Sequence, residues 1–428
     1  MMKWAFSAAI ALGMMAVMAW GDDWPQWRGP RLDSVCRETN LPTHWSKTEN
    51  VVWRFPLPGP AGASPVVAGE HVYVTAPEGD DIFLICISTN GAELWRRKIG
   101  TGNSTYREDE GNSASPSPCT DGVHVWALDG NGHLACFSAD GELAWSKNLQ
   151  DIYGRYDIQF GMASTPVLYQ GNLYLQLLHG SMRDAVTSES WVIALDGKTG
   201  NEIWKHSRQT PGRYENKHSY ASPTIYFDRD NSFLLVHGAD YITAHALSDG
   251  SELWRCGNLN SLEHYNPFLR FVASPACGPN LIVVPSAKNG PVLGLKPGFQ
   301  GDITENQDAY HWRMETQTPD VPTPVIADGL VYLCRENGVL ICVDAKTGEK
   351  VYEERVVSDR HRASPVVADG NVYLTSRRGV VSVVKAGRIF EVVAKNELDE
   401  PISASPAISH GRIYLRTFEA LYCIGKAP

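Results

Sequence analysis

Eight times along this chain a proline introduces a short apolar strand: Pro65, Pro118, Pro166, Pro223, Pro275, Pro324, Pro365 and Pro406. Most follow Ala-Ser or a close variant. Six lead, seven residues on, to strands of closely similar shape: Val72-Tyr73-Val74, Val125-Trp126-Ala127, Leu173-Tyr174-Leu175, Val331-Tyr332-Leu333, Val372-Tyr373-Leu374 and Ile413-Tyr414-Leu415. Successive prolines lie 41 to 57 residues apart. A repeat of that period built only of strands and turns predicts an all-β propeller, whose blades bury their faces only against one another. A length of 428 residues taken alone suggests about two or three domains. The repeat predicts instead a single ring over residues 22–428.

The first 21 residues read as a cleaved secretory signal. Lys3 supplies the positive flank, Ala5 to Ala19 is an unbroken apolar or small stretch, and Ala19-Trp20-Gly21 places small residues before Asp22-Asp23. The stretch is short against the roughly 20 residues of a spanning helix, and no cysteine near the cleavage region offers a lipid anchor. The mature chain is expected to be soluble, monomeric and exported to the periplasm or the medium, with no membrane span. A net charge of -10 argues against nucleic acid as the main partner, which needs a clustered basic face. Export invites a disulfide reading of the nine cysteines. Cys86, Cys136, Cys342 and Cys423, however, occupy one equivalent strand position in four blades, too far apart around a ring to pair, and are expected to be buried thiols. A Cys36–Cys119 pair is left open.

The turn before the outermost strand is the most regular part of each repeat. Ala194, Asp196, Gly200 and Trp204 stand at relative positions 1, 3, 7 and 11, and Cys342, Asp344, Gly348 and Tyr352 keep that register. Asp bonds turn amides and Gly takes positive φ, while the aromatic offers a flat surface to the next blade. Outer-strand aromatics are assigned at Trp95, Trp145, Trp204, Trp254, Trp312, Tyr352 and Phe390. The eighth repeat ends without one, and Trp53, in Asn50–Phe55, is expected to complete it. Eight four-stranded antiparallel blades follow, closed by the N-terminal strand. Two are irregular: the fourth carries a polar insert over Phe227–Ser232, and the fifth replaces its turn by a long loop, Lys296–Tyr310.

The spacing Ala-x-Asp-x-x-x-Gly-x-x-x-Trp resembles the docking motif of pyrroloquinoline-quinone-type (PQQ-like) eight-bladed propellers. The opening Trp24-Pro25-Gln26-Trp27-Arg28-Gly29-Pro30 is similar to the start of secreted bacterial members. That resemblance brings two functional precedents. Quinoprotein alcohol dehydrogenases hold the quinone and a calcium ion in the channel and carry a vicinal Cys-Cys pair. Here no cysteines are adjacent and no Cys-x-x-Cys-His haem motif occurs. Only the residue types of Glu215, Asn266 and Asp320 suit a calcium set. The outer-membrane assembly lipoprotein of the same fold is non-catalytic and binds a partner protein.

The segments leading into each proline should converge on one rim, because they precede equivalent strands of one ring. They carry the candidate ligand-binding residues Asp109, Asn112, Asp157, Gln159, Glu215, Lys217, His218, Asn266, Arg270, Asp320, Arg360, His361 and Arg362. Arginine forks there suit a carboxylate or sulfate, and His218 and His361 are the general-base candidates by residue type. No nucleophile elbow, phosphate loop, HExxH or Cys-x-x-Cys appears, so no catalytic residue or metal ligand is assigned. The expectation is a non-catalytic binding or scaffolding module, taking a small polar molecule or a protein partner at the channel mouth. No cofactor is expected. A PQQ-dependent alcohol or sugar oxidoreductase, with calcium, is the alternative.

Overall fold

The computed structural model of the chain describes residues 23–107, 111–183, 190–229, 231–261 and 263–426. The predicted signal segment and Asp109 lie outside the described residues. Eight sheets form a ring, each a blade of four antiparallel strands. Blade 1 runs outward through Val66–Ala68, His71–Glu78, Asp81–Ser88 and Glu93–Thr101. The other seven innermost strands are Cys119–Thr120, Val167–Tyr169, Thr224–Tyr226, Ala276–Gly278, Val325–Ala327, Val366–Ala368 and Ala407–Ser409. Each repeat proline directly precedes one of these, so the apolar triplets of the repeat are second strands rather than first. Proline is at home there, because the innermost strand is an edge strand whose missing N–H costs no ladder bond.

The residue before every repeat proline carries a hydroxyl: Ser64, Ser117, Thr165, Ser222, Ser274, Thr323, Ser364 and Ser405. In each, the backbone N–H donates to the hydroxyl oxygen of its counterpart in the next blade, at between 2.9 and 3.1 Å. The last bond runs from Ser405 back to Ser64, so the eight make a closed belt around the channel. All eight residues are buried.

Outside the belt the blades dock through the predicted aromatics. Trp145 packs on Gly200 of the next blade, where φ is 67° and an added Cβ would meet the indole at 2.8 Å. Its Nε1–H donates to the Gly197 carbonyl at 2.9 Å. The apolar core lies in these interfaces: Tyr73, Cys86 and Trp95 of blade 1 pack with Val125, Ala127 and Phe137 of blade 2. All nine cysteines lie among the described residues and none is in a disulfide. Burial pushes the Cys136 thiol up to about 12, as expected of packing groups rather than reactive ones.

The ring closes as the sequence predicts. Val51–Pro56 pairs antiparallel with Ala420–Ile424, setting Trp53 opposite Cys423. One outer-strand aromatic is corrected. In blade 7 the strand is Val392–Glu397, and the residue opposite Val383 at the docking position is Ala394, not Phe390. Phe390 instead receives Tyr352 of blade 6, with ring centroids 5.5 Å apart. Trp45, from the segment before the closing strand, stacks on Tyr373 of blade 7 at 6.4 Å and shares a core cluster with Ala394. A residue from outside the repeat thus fills the space that the small side chain leaves.

The same N-terminal segment runs across the channel on the side towards which the innermost strands run, and its Arg28 reaches back to two of the prolines. Trp24 exchanges backbone bonds with Val67, Pro25 accepts from Thr120, and Gln26 accepts from Leu168. Arg28 Nη1 donates to the Pro275 carbonyl at 2.8 Å and Nη2 to the Pro324 carbonyl at 3.2 Å. Val35–Cys36 then adds in parallel to the innermost strand of blade 7. Burial pushes the Arg28 guanidinium down to about 10, which leaves it charged at neutral pH. Gly29, at φ 79°, turns the chain where a Cβ would sit 3.0 Å from the Trp24 ring.

Breaking the belt tests its contribution. Ser274→Ala leaves the buried Ser222 N–H without its acceptor, a loss of about 1–3 kcal/mol. The urea midpoint should fall in that variant and be largely retained in Ser274→Thr.

Candidate functional site

Because strands alternate in direction, the loops leading into the prolines share one face of the ring with the hairpins between second and third strands. Together they frame a cavity of about 210 Å³ at the channel mouth, walled by Tyr106, Phe160, Tyr220, Val272 and Val321, with Ser115 and Ser403 between them. A second, more polar cavity of about 270 Å³ adjoins it, lined by Lys288, Asp320, Glu336 and Arg360. Arg270 and Arg362 line both.

The aromatic wall is held in place from within. The Phe160 N–H donates to the Tyr220 hydroxyl at 3.3 Å, and their rings lie 6.0 Å apart. Arg270 stands over Phe160, its Cζ 5.2 Å from the ring centroid, while Nη1 pairs with Glu215 at 3.3 Å. The carboxylate thus orients the guanidinium and the ring supports its face. Across the cavity Arg362 Nη2 meets Glu336 Oε1 at 3.1 Å, and Lys288 reaches the same carboxylate at 3.6 Å. Burial and the neighbouring Glu336 push the Asp320 carboxyl up to about 6. Glu336 is held below the usual range: burial opposes this, but Arg362, the proton on Asp320 and Lys288 outweigh it.

The predicted candidates divide. Arg270, Asp320, Arg360 and Arg362 converge on the paired cavities, with Glu215 behind Arg270. Asp157 and Gln159 sit exposed on the rim, where their backbone N–H groups donate to the rings of His179 and His218. Asn112 is a loop staple, its Nδ2 donating to Pro60 O at 2.6 Å. Asn266 likewise accepts from Asn216 and Asn260 through its carbonyl oxygen. Lys217 is buried and donates to Ser181 O at 3.1 Å, in a separate small recess. His218 and His361 are both buried. His218 Nε2 meets Gly180 O at 2.8 Å and His361 Nδ1 meets Asp359 O at 3.1 Å, and burial pushes both imidazoles down. Neutral and enclosed, they brace loops rather than face the cavity. Tyr106, Lys288 and Glu336 are additions. The last two come from hairpins, and their signal was a charge at the tip of a turn that opens on the same rim.

Residues suited to the calcium of a quinoprotein centre are not gathered. Glu215 is engaged with Arg270, the Asn266 side-chain oxygen with the Phe268 N–H, and Asp320 with Glu336. Among the described residues no three His, Cys, Asp or Glu side chains form a metal-binding group.

The family model described as outer membrane protein assembly factor BamB matches residues 83–260 and 243–388. The chain belongs to this BamB-type family. No protein of the curated set matches it significantly in sequence. Among solved structures, BamB from Moraxella catarrhalis superposes with a TM-score of 0.60 at 12% identity, over 86% of this chain and 95% of the other. The quinohemoprotein alcohol dehydrogenase from Comamonas testosteroni gives 0.71 at 12% identity, over 95% and 81%. A europium-containing methanol dehydrogenase gives 0.70 at 12%, over 93% and 90%. At such identities the likeness is one of fold. Among the described residues no helix is long and apolar enough to cross a membrane.

The proton on Asp320 makes a pH prediction. The folded chain holds it to a higher pH than the unfolded chain, so the contribution of Asp320 to stability is lost as pH rises from the ordinary aspartate range through about 6. Asp320→Asn keeps a neutral donor beside Glu336. Its melting temperature relative to wild type should therefore increase between pH 5 and pH 7.5 (test conditions chosen about the shifted value), as followed by circular dichroism; a flat difference would contradict the shift.

Proposed function

We propose that the chain is an exported, non-catalytic binding module that takes a small anionic molecule in the blind pocket at the channel mouth. One observation carries the reading: loops of the blades converge on adjoining cavities that share Arg270 and Arg362, over a channel whose far end is filled by the buried N-terminal segment. Two guanidinium groups on a common wall suit a carboxylate or sulfate, which accepts parallel N–H bonds from each fork. The aromatic and valine walls suit the less polar remainder of such a ligand. The histidines are enclosed, and the one carboxyl pair that faces the cavity, Asp320 with Glu336, is engaged by Arg362 and Lys288, which favours binding over turnover.

A thermal-shift panel of small dicarboxylates, sulfate esters and phosphate esters tests this. A ligand that binds only the folded chain at a hundredfold excess over its Kd adds about 2.7 kcal/mol. That stabilisation should appear for at least one class and disappear in Arg362→Ala. Turnover in dye-linked alcohol oxidation with PQQ and calcium would overturn the non-catalytic reading.

A protein partner is the second reading, favoured by Phe268 and Tyr214, which are 60% and 40% exposed on the rim with rings 6.0 Å apart. Tyr214→Ser, at a side chain that lines neither cavity, should then abolish complex formation while leaving small-anion binding intact.

A further inference from the structure

The two irregular blades meet on the face opposite the mouth. The insert of blade 4 and the long loop of blade 5, with the turn after Ala246, enclose a cavity of about 640 Å³. This is within the range of about 300–1,000 Å³ for small-ligand sites. Its walls are aromatic and mutually braced. Tyr226 and Phe233 stack at 5.1 Å with planes 19° apart, and Phe233 meets Trp254 edge-on at 5.9 Å. The Tyr226 hydroxyl is fixed by accepting from the Asn280 N–H at 3.2 Å. Phe299, from the blade 5 loop, is half-buried and completes the lining.

Trp254 supplies an independent observation. In the other tryptophan-bearing blades the docking indole donates to a carbonyl three residues past its cross-strand counterpart in the next blade: Trp53 to Thr89, Trp95 to Ala139, Trp145 to Gly197, Trp204 to Leu247 and Trp312 to Ala345. The corresponding residue for Trp254 is Pro297, three past Gly294. It does not accept. The Nε1–H of Trp254, a residue only 2% exposed, has no partner among the described residues, and Pro297 stands in the cavity wall. An unmet buried donor of this kind is costly, and it records how far the blade 5 loop departs from the regular docking geometry where the cavity opens.

We infer that this cavity binds a neutral carbohydrate. Among the described residues the polar groups of its lining are Ser232, Ser248, Gln300, Asn231 and Asp228, with no Lys, Arg or His. That set offers donors and acceptors to hydroxyl groups but no cation to hold a phosphate, sulfate or uronate. The half-buried Phe299 ring suits the C–H face of a sugar ring, and the rigid Tyr226–Phe233–Trp254 stack beneath the cavity lowers the ordering cost of binding a flexible chain. The site is separate from the mouth and does not depend on what binds there.

Isothermal titration of the full mature chain tests the inference, with neutral hexasaccharides of β-1,4-glucan, β-1,4-xylan, β-1,3-glucan and α-1,4-glucan as probes. An acidic oligogalacturonate and a proline-rich peptide complete the panel. At least one neutral oligosaccharide should bind saturably. Phe299→Ala should weaken it about tenfold and Gln300→Ala, at an exposed side chain, about threefold, while Arg362→Ala at the mouth leaves it unchanged. Absence of binding by all four neutral probes would overturn the inference. So would unchanged affinity in Phe299→Ala, loss in Arg362→Ala, or binding confined to the acidic saccharide or the peptide.

Discussion

The closed belt of eight N–H to hydroxyl bonds is the constraint on which the rest of the molecule depends. Each bond joins one blade to the next at the narrowest radius of the ring, and each is made by the residue that fixes where an innermost strand begins. Individually such bonds add about 0.5–1.5 kcal/mol. Their collective effect is geometric: eight strand starts are set at one height. The loops just before them are then forced to one rim, and the Trp–Gly contacts further out fall into register. The mouth is a consequence of the belt, since its walls are the residues just upstream.

Much of this was legible in the sequence because it is local and repeated. The proline leads with their Ala-Ser-like approach and the outer-strand aromatics are short-range signals repeated around the ring, and the missing eighth outer strand followed from counting them. What could not be read depends on contacts made once. Arg28 reaches carbonyls of Pro275 and Pro324, and nothing near Arg28 in the chain announces either partner. Phe390 misled for a related reason: spacing alone cannot tell a donor aromatic from one on the receiving turn, and the space it was expected to fill is occupied by Trp45 from elsewhere. At the mouth the arginines were visible, but Glu336 and Lys288 arrive from hairpins whose direction becomes clear only once strands are counted outward. His218 and His361 looked like chemistry because of their neighbours, and burial turned them into braces.

The two faces of the ring differ in kind. On the proline side, charged groups in compensating pairs surround a small aromatic well. On the opposite side the N-terminal segment covers the axis, and the two blades that break the repeat open an aromatic cavity, with a single carboxylate in its described lining, away from it. Regular blades hold the ring and irregular ones create surface. This fits a scaffold whose stability rests on repetition while recognition rests on departures from it.

The closing strand has a further consequence for how the molecule comes into being. Trp53 pairs with Cys423, and everything before Trp53 that crosses the axis rests on blades whose strands are distributed along the whole chain. The earliest-synthesised part of the ring must therefore wait for the last. Until the C-terminal hairpin exists, Val51–Pro56 has no strand to pair with and the ring stays open. An incomplete chain is thus an arc with adhesive ends, vulnerable to a second copy supplying the missing strand. Completing the ring from both termini at once makes the final folding step also the one that removes that hazard.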